Sequence, residues 1–347
     1  MAYPPQSTVD DALTTPAPPS KTTLLRLFAN ARATRRPLHV LAPMVRYSKL
    51  PLRLLVQHYA VDVTYTPMIL AREFRNSPHA RTADFSTCSL EGPVIAQFGA
   101  ATSDDLCAAT RLIRPFVTGI GLNCGCPIKD QNELGIGAAL MRKVDTVEAM
   151  VRALRAEFGD DLLVDVKIRI HADLDITADF AARIAAAGAD IITVHGRRKK
   201  HRNAVPASMA AVRRVRDAVP RGVYVVANGD CMVYSDIARM AAESGADGVM
   251  AARGILANPA LFSGAPCTPW AAIERFMAYA DFYGGKFQHL QLALVDMTVG
   301  LLTKQERHEL RMLRSWVELR EYMDKRFVLL RPGEEGFGEK MYDNFRR

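Results

Sequence analysis

From Pro37 to about Phe262 the chain repeats one rhythm, a short apolar or β-branched run followed by a longer helix-like stretch. This rhythm restricts the fold more than any other feature. Eight runs qualify as strands: Leu38–Ala42, Val61–Thr66, Val94–Gln97, Gly119–Asn123, Leu162–Ile168, Ile191–His195, Val223–Ala227 and Gly248–Ala252. Most are apolar on both faces, the pattern of parallel strands covered by helices. Helical spacing marks Leu50–Tyr59, Asp104–Phe116, Thr146–Glu157, Ala178–Ala187, Met209–Ala218 and Ser235–Ser244 between them. Ala187-Gly188-Ala189-Asp190 and Ser244-Gly245-Ala246-Asp247 read as equivalent helix-to-strand turns, each with glycine where a left-handed cap needs it. Eight strands in a βα series predict an α/β fold, a (β/α)8 TIM barrel. An open doubly wound sheet would carry a glycine-rich turn after its first strand, and that turn is missing.

The flanks read differently. Residues 1–22 hold five prolines among Ser and Thr and are expected to be a disordered tail. Arg26, Arg32, Arg35 and Arg36 follow, as in an organelle transit signal, but Asp10 and Asp11 precede them and such signals avoid acids. A basic first helix is the expectation. After Pro266 the pattern becomes helical over Trp270–Phe282 and Phe287–Lys325, so residues 23–265 are assigned to the barrel and 266–347 to a small C-terminal helical domain. Gly333, Gly336 and Gly338 suggest a loosely ordered end.

Composition narrows the class. Of 347 residues 49% are hydrophobic and 24% charged, which excludes a wholly disordered chain. No apolar run approaches the roughly 18–20 residues of a membrane span. Six cysteines are too few for a disulfide scaffold, and no secretory h-region opens the chain, so an intracellular site, cytoplasmic or nuclear, is expected. Lys+Arg 45 against Asp+Glu 37, a net +8, favours an anionic partner such as nucleic acid.

In a barrel, side chains at the carboxyl ends of the strands converge on one mouth. Those ends are Pro43-Met44, Gln97, Asn123 with Cys124-Gly125-Cys126-Pro127, Lys167 and Arg169, His195-Gly196-Arg197, Asn228-Gly229-Asp230, and Ala252-Arg253-Gly254. Taken singly, Lys167 and Arg169 suit a solvated strand end, His195 a hydrogen-bonded core, and Asn228-Gly229 a turn. Their shared position favours a site. The small turns on the last two strands suit a phosphate, with Arg253 forking onto its oxygens. Gln97, Asn123, Lys167 and His195 suit the edge of a flat heteroaromatic ring, so flavin mononucleotide (FMN) fits the inventory. No second cysteine pair or nearby histidine completes a zinc site around Cys124 and Cys126, and no metal is expected. A mouth cysteine can act as a nucleophile or as a general acid, and a free thiol of pKa about 8.5 keeps its proton near neutral pH, as a donor must. Strand alternation does not choose between Cys124 and Cys126, which share parity; the constrained setting between Gly125 and Pro127 favours Cys126. Cys88, Cys107, Cys231 and Cys267 look incidental.

Ala42-Pro43-Met44, Gln97-Phe98-Gly99, Leu122-Asn123-Cys124-Gly125-Cys126-Pro127, Lys167-Ile168-Arg169, Val194-His195-Gly196-Arg197, Asn228-Gly229-Asp230 and Ala252-Arg253-Gly254 occur in that order. This string resembles the tRNA-dihydrouridine synthases over Pro37–Phe262. Val45–Pro51, Gly137–Met141 and Leu256–Phe262 look most like the eukaryotic branch acting at positions 20a and 20b. The resemblance implies an FMN-bound barrel, a helical C-terminal domain that helps hold tRNA, NADPH or NADH as reductant, and a monomer. By matching positions, Cys126 is the proton donor. Pro43, Met44, Val45, Gln97, Lys167, His195, Asn228, Gly229, Asp230, Ala252 and Arg253 contact FMN, and Asn123 lies beside flavin and uracil. It further implies hydride delivery to C6 of uracil, with Cys126 protonating C5. The family often has Thr after His-Gly-Arg, whereas here Arg198 opens the run Arg197-Arg198-Lys199-Lys200-His201-Arg202.

Five Lys/Arg in those six residues exceed ordinary surface mixing, so Arg197, Arg198, Lys199, Lys200 and Arg202, with Arg169, are expected tRNA contacts. Arg311, Arg314 and Arg320 extend that footprint, offset by Glu318 and Glu321. A stacked uridine must swing out to reach the mouth. Two rivals remain: a flavin barrel reducing a free pyrimidine or enone, which needs no basic run, and a non-catalytic RNA-binding barrel, which needs no flavin.

Overall fold

The computed structural model describes residues 3, 18–201, 203–339, 342, 345 and 346. Among the described residues nine parallel strands form one sheet: β1 (Leu38–Leu41), β2 (Thr64–Tyr65), β3 (Ile69–Leu70), β4 (Val94–Gly99), β5 (Gly119–Asn123), β6 (Leu163–Arg169), β7 (Ile191–His195), β8 (Tyr224–Asn228) and β9 (Gly248–Ala251). The order β1-β9-β8-β7-β6-β5-β4-β2 runs around a barrel, with β3 pairing beside β4. The seam between β1 and β2 is joined by the Val40–Val63 bridge, where the Leu41 amide donates to the Val63 carbonyl at 2.9 Å. All eight expected strands are present. The expected second strand, 61–66, keeps only Thr64–Tyr65 as regular strand, with Val63 supplying the bridge.

The six helices read from the sequence appear at or near their expected bounds, from Leu50–Gln57 to Ser235–Ser244. Gly188 (φ 114°) and Gly245 (φ 63°) end their helices in the left-handed region. The two related turns also carry the same device. The Asp190 carboxylate accepts the Val164 amide and the Asp247 carboxylate accepts the Val225 amide, each at 2.8 Å.

Both aspartates also hold the first helix. Lys21–Thr34 is capped by Ser20 and lies across the amino end of the barrel. Lys21 pairs with Asp190 and Arg32 with Asp247, both at 2.7 Å. Between these ends Leu24, Phe28 and Ala31 pack into the barrel with Leu38, Val40, Leu163, Ile191, Val226 and Met250. Phe28 stacks on Tyr224 at 4.8 Å. This helix is an apolar plug in the barrel floor. It begins inside the stretch 1–22 expected to be disordered; the rest of that stretch lies mostly outside the described residues.

After β9 come Arg253–Ala257, then Trp270–Tyr283, which packs on Leu50–Gln57 and is buried along most of its length. The single helical stretch read over Phe287–Lys325 divides into Phe287–Met297, Lys304–Met312 and Trp316–Arg326. The first break contains Gly300 at φ 95°, and Thr303 starts the next helix with a capping box to Glu306. Phe287–Met297 packs on both Arg253–Ala257 and Trp270–Tyr283. The glycine-rich end is held in place, because Glu274, buried in Trp270–Tyr283, accepts the Leu330 and Gly338 amides at 3.0 and 2.9 Å. No helix among the described residues is long and apolar enough to cross a membrane.

Candidate active site

Alternation along the strands explains the mouth. Ile95, Leu163, Ile191, Val226 and Met250 share the inward face and fill the floor above the plug. Val94, Val164, Ile192, Val225 and Val249 face outward to the helices. Two residues further along the inward face the side chains become polar: Gln97 after Ile95, Asp165 and Lys167 after Leu163, Thr193 and His195 after Ile191, and Asn228 after Val226. Register places Asn123 beside Lys167, Arg169 beside His195, and His195 beside Asn228. The expected strand-end residues therefore share one side of the barrel.

Asn123 organises the cysteine loop. Its Nδ2 donates to Gln97 Oε1 at 2.7 Å, and its Oδ1 accepts the Gly125 and Cys126 amides at 3.0 and 2.8 Å. From the far side, the Ala138 amide and Asn132 Nδ2 donate to the Cys126 carbonyl at 2.8 and 3.1 Å. That approach needs Gly137 (φ 66°), where a Cβ would lie 2.8 Å from the same carbonyl. His171 in turn hydrogen-bonds the Met141 carbonyl at 2.7 Å, tying down the turn that carries Gly137 and Ala138. The ambiguity of the two cysteines resolves here. Cys124 is fully buried and burial raises its thiol, whereas Cys126 is partly exposed and faces Lys167 and Arg169.

Cations line the mouth. Lys167 Nζ donates to Asn228 Oδ1 at 2.9 Å, while Asn228 Nδ2 donates to the Met250 carbonyl at 3.0 Å. Burial, reinforced by Arg169, lowers Lys167 to about 8. Arg169 bridges two loops, donating to the Gly125 carbonyl at 2.7 Å and the Arg198 carbonyl at 3.1 Å. His195 is lowered to about 2, by burial first and then by Lys167, Arg169, Arg197 and Arg253. Arg197 Nη1 lies 3.3 Å from His195 Nε2. A guanidinium only donates, so this Nε2 accepts and the proton of the neutral ring sits on Nδ1. Gln97 Nε2 is buried without a hydrogen-bond partner, next to the Oε1 that accepts from Asn123.

On the other rim, Asp230 (φ 61°) gathers charge. It accepts from Arg197 at 2.6 Å, Arg253 at 2.8 Å and the Ala207 amide at 2.9 Å. Gly229 (φ 125°) makes this turn possible, since a Cβ there would lie 2.5 Å from the Ala207 Cβ. Across the mouth, Ser48 Oγ accepts the Met44 amide at 3.0 Å, fixing the turn that carries Pro43, Met44 and Val45. Ala252 begins the short helix that follows β9.

The basic run separates into two parts. Arg197 is only 2% exposed and is committed to Asp230, while Arg198, Lys199 and Lys200 are exposed on the rim. Arg202 lies outside the described residues. Of a second cationic group only Arg311 was read from the sequence. Arg46, Lys49 and Lys286 surround His289 and lower it after burial, and Arg311 acts with Arg46 on Tyr47. Arg320 is instead paired with Asp281 at 3.5 Å. The sequence left Asp165 unread, although its inward parity with Lys167 was legible, and also Asn132 and His171, which have no such signal; Gly137 was read only as part of the Gly137–Met141 motif. Among the described residues no cluster of three or more His, Cys, Asp or Glu is placed to hold a metal.

Fold and mouth together define a barrel enzyme, with a partly exposed cysteine facing Lys167 and Arg169. Residues 40–338 match the dihydrouridine synthase (Dus) family, and the chain belongs to it. It is 42% identical over 306 residues to the tRNA-dihydrouridine(20a/20b) synthase [NAD(P)+] of Saccharomyces cerevisiae, covering 87% of this chain and 83% of that one. The Schizosaccharomyces pombe protein of the same name is 42% identical over 88% of this chain and 93% of its own. A Homo sapiens protein named tRNA-dihydrouridine(20a/20b) synthase [NAD(P)+]-like is 36% identical over 82% and 89%.

Proposed function

We propose that this protein reduces the C5–C6 double bond of uridines in the D-loop of tRNA, at positions 20a and 20b, using NAD(P)H and bound FMN. The observation that carries this reading is the convergence of Cys126 with Gln97, Lys167, His195 and Asn228 on one mouth. FMN fits the residues present. Gln97 Nε2 is an unpartnered donor for a ring edge, Lys167 is a cation for negative charge on the ring, and the turns Asn228–Asp230 and Ala252–Arg253 flank a phosphate position. The chemistry supplied by bound FMN is hydride carriage, from NAD(P)H to carbon 6 of uracil.

The chain's own residues do the rest. Cys126 gives its proton to carbon 5, completing the addition of one hydride and one proton across the double bond. Asn123 holds that thiol in register through two backbone hydrogen bonds and touches Gln97 with its amide, so acid and ring edge are placed by one side chain. His195 remains neutral, which lets it donate from Nδ1 without adding charge. Arg198, Lys199 and Lys200 on one rim, with the exposed Arg46, Lys286 and Arg311 elsewhere, hold tRNA phosphates while the target base swings out. This reading needs no metal and no second copy of the chain, and it places the protein where tRNA is made or used, in nucleus or cytosol.

The test is incubation of FMN-loaded protein and NADPH with tRNA transcripts, followed by mass-spectrometric mapping of dihydrouridine. Product confined to positions 20a and 20b is expected. Reduction of free uracil or uridine with tRNA untouched would overturn the reading, as would a colourless protein that binds tRNA and reduces nothing.

A further inference from the structure

The barrel holds one more charge, which the reaction as derived does not use. Asp165 precedes Lys167 by two residues on β6, so it shares the inward face one layer deeper. It is fully buried. The Thr193 hydroxyl donates to Oδ1 at 2.8 Å, yet Oδ2 is buried without a hydrogen-bond donor. Its cross-strand neighbours are Gly121 and Ile191, and neither side chain can donate. A Cβ added at Gly121 would lie 3.5 Å from that oxygen, so the β5 side offers only backbone. Burial raises the Asp165 acid to about 7, outweighing Thr193 and Tyr65, which favour its charged form, and an opposite charge facing it offsets that cost. Lys167 is that charge, and its ammonium otherwise donates to the neutral Asn228.

We propose that Asp165 is a positioning residue: its buried carboxylate is the counter-charge that keeps the Lys167 ammonium protonated at the mouth. Its value to catalysis rests on the function proposed above; the pairing itself does not. Lys167 faces Arg169 on its own strand, Cys126 from the β5 loop, His195 from β7 and Asn228 from β8. Asp165 faces Tyr65 from β2, Thr193 from β7 and Cys124 after β5. Burial and Arg169 favour the neutral amine; Asp165, ahead of Cys126, opposes them.

Competitive amine labelling of the flavin-free protein across pH, read on the Lys167 peptide by mass spectrometry, reports this charge without flavin or tRNA. Asp165→Asn should lower the half-titration of Lys167 by about one pH unit or more, a tenfold loss of proton affinity. In FMN-loaded protein the same variant should move the alkaline limb of tRNA-dependent flavin reoxidation to lower pH by a similar amount. An Asp165 that merely braces the barrel would lose thermal stability on substitution and leave both in place, which would overturn the proposal. Asp165→Ser, smaller and without charge, carries the same expectation if the Asn variant does not fold. Failure of the two readings is distinguishable. A labelling shift in a protein that binds no flavin would sink the function and keep the pairing, whereas normal tRNA reduction with Lys167 unmoved would sink the pairing alone.

Discussion

Replacing Asn123 by Ala removes the side chain that joins the ring-edge donor to the cysteine loop. Three hydrogen bonds go with it: one to Gln97 Oε1 and those from the Gly125 and Cys126 amides. Water can reach the partly exposed Cys126, but Gln97 and Gly125 are buried. Two buried polar groups left unpaired cost about 1–3 kcal/mol each, so the folded state should lose about 2–4 kcal/mol after some relaxation. Loosening the loop by even about 1 Å costs on the order of 100-fold in a reaction that depends on alignment. Single-turnover reoxidation of reduced protein by tRNA should therefore slow by about 10–100-fold. Asn123→Asp separates the effects. It keeps an acceptor for both amides, and Gln97 can rotate its free Nε2 towards the new carboxylate. Its stability loss, read by urea unfolding, should be less than half that of Asn123→Ala. An Ala variant within about 0.5 kcal/mol of the wild type, with an unchanged single-turnover rate, would refute the reasoning.

Stability should also fall in acid through His195. The unfolded ring takes up a proton below its ordinary 6.5, while the folded one resists down to about 2, so this contribution is present above 6.5 and is lost as pH falls. Each pH unit below that point costs up to about 1.4 kcal/mol, and His195→Gln should flatten the dependence in urea titrations at pH 7 and 5. On the rim, changing Arg198, Lys199 and Lys200 together to Ala should weaken tRNA binding and reduce the slope of log affinity against log salt by about 2–3. Arg197→Ala should instead destabilise the Asp230 turn and leave that slope within about 0.5, because its guanidinium is buried.

The barrel was legible because its signals are local. Each strand is a short apolar run, and Gly188 and Gly245 mark helix ends that only glycine enters without strain. The mouth was legible because its residues sit at the strand ends in chain order. What stayed hidden depends on side-chain direction. Arg197 opens a run that reads as one solvated surface, but alternation turns it towards Asp230 and leaves its neighbours outside. Cys124 and Cys126 share parity in sequence, and only the departure of the loop after β5 buries one and opens the other. The segment between β2 and β4 is assigned no element from the sequence, and it folds as β3 and the two short helices Ala71–Asn76 and Pro78–Asp84. The plugging role of Lys21–Thr34 rests on contacts more than 200 residues away, such as Arg32 with Asp247.

The most direct test of Cys126 as the acid is reoxidation of pre-reduced, FMN-loaded protein by tRNA in a single turnover, comparing wild type with Cys126→Ala. Loss of a positioned general acid predicts a rate about 10²–10⁴-fold lower, with tRNA affinity and flavin content unchanged. Equal rates in the two proteins would contradict the account.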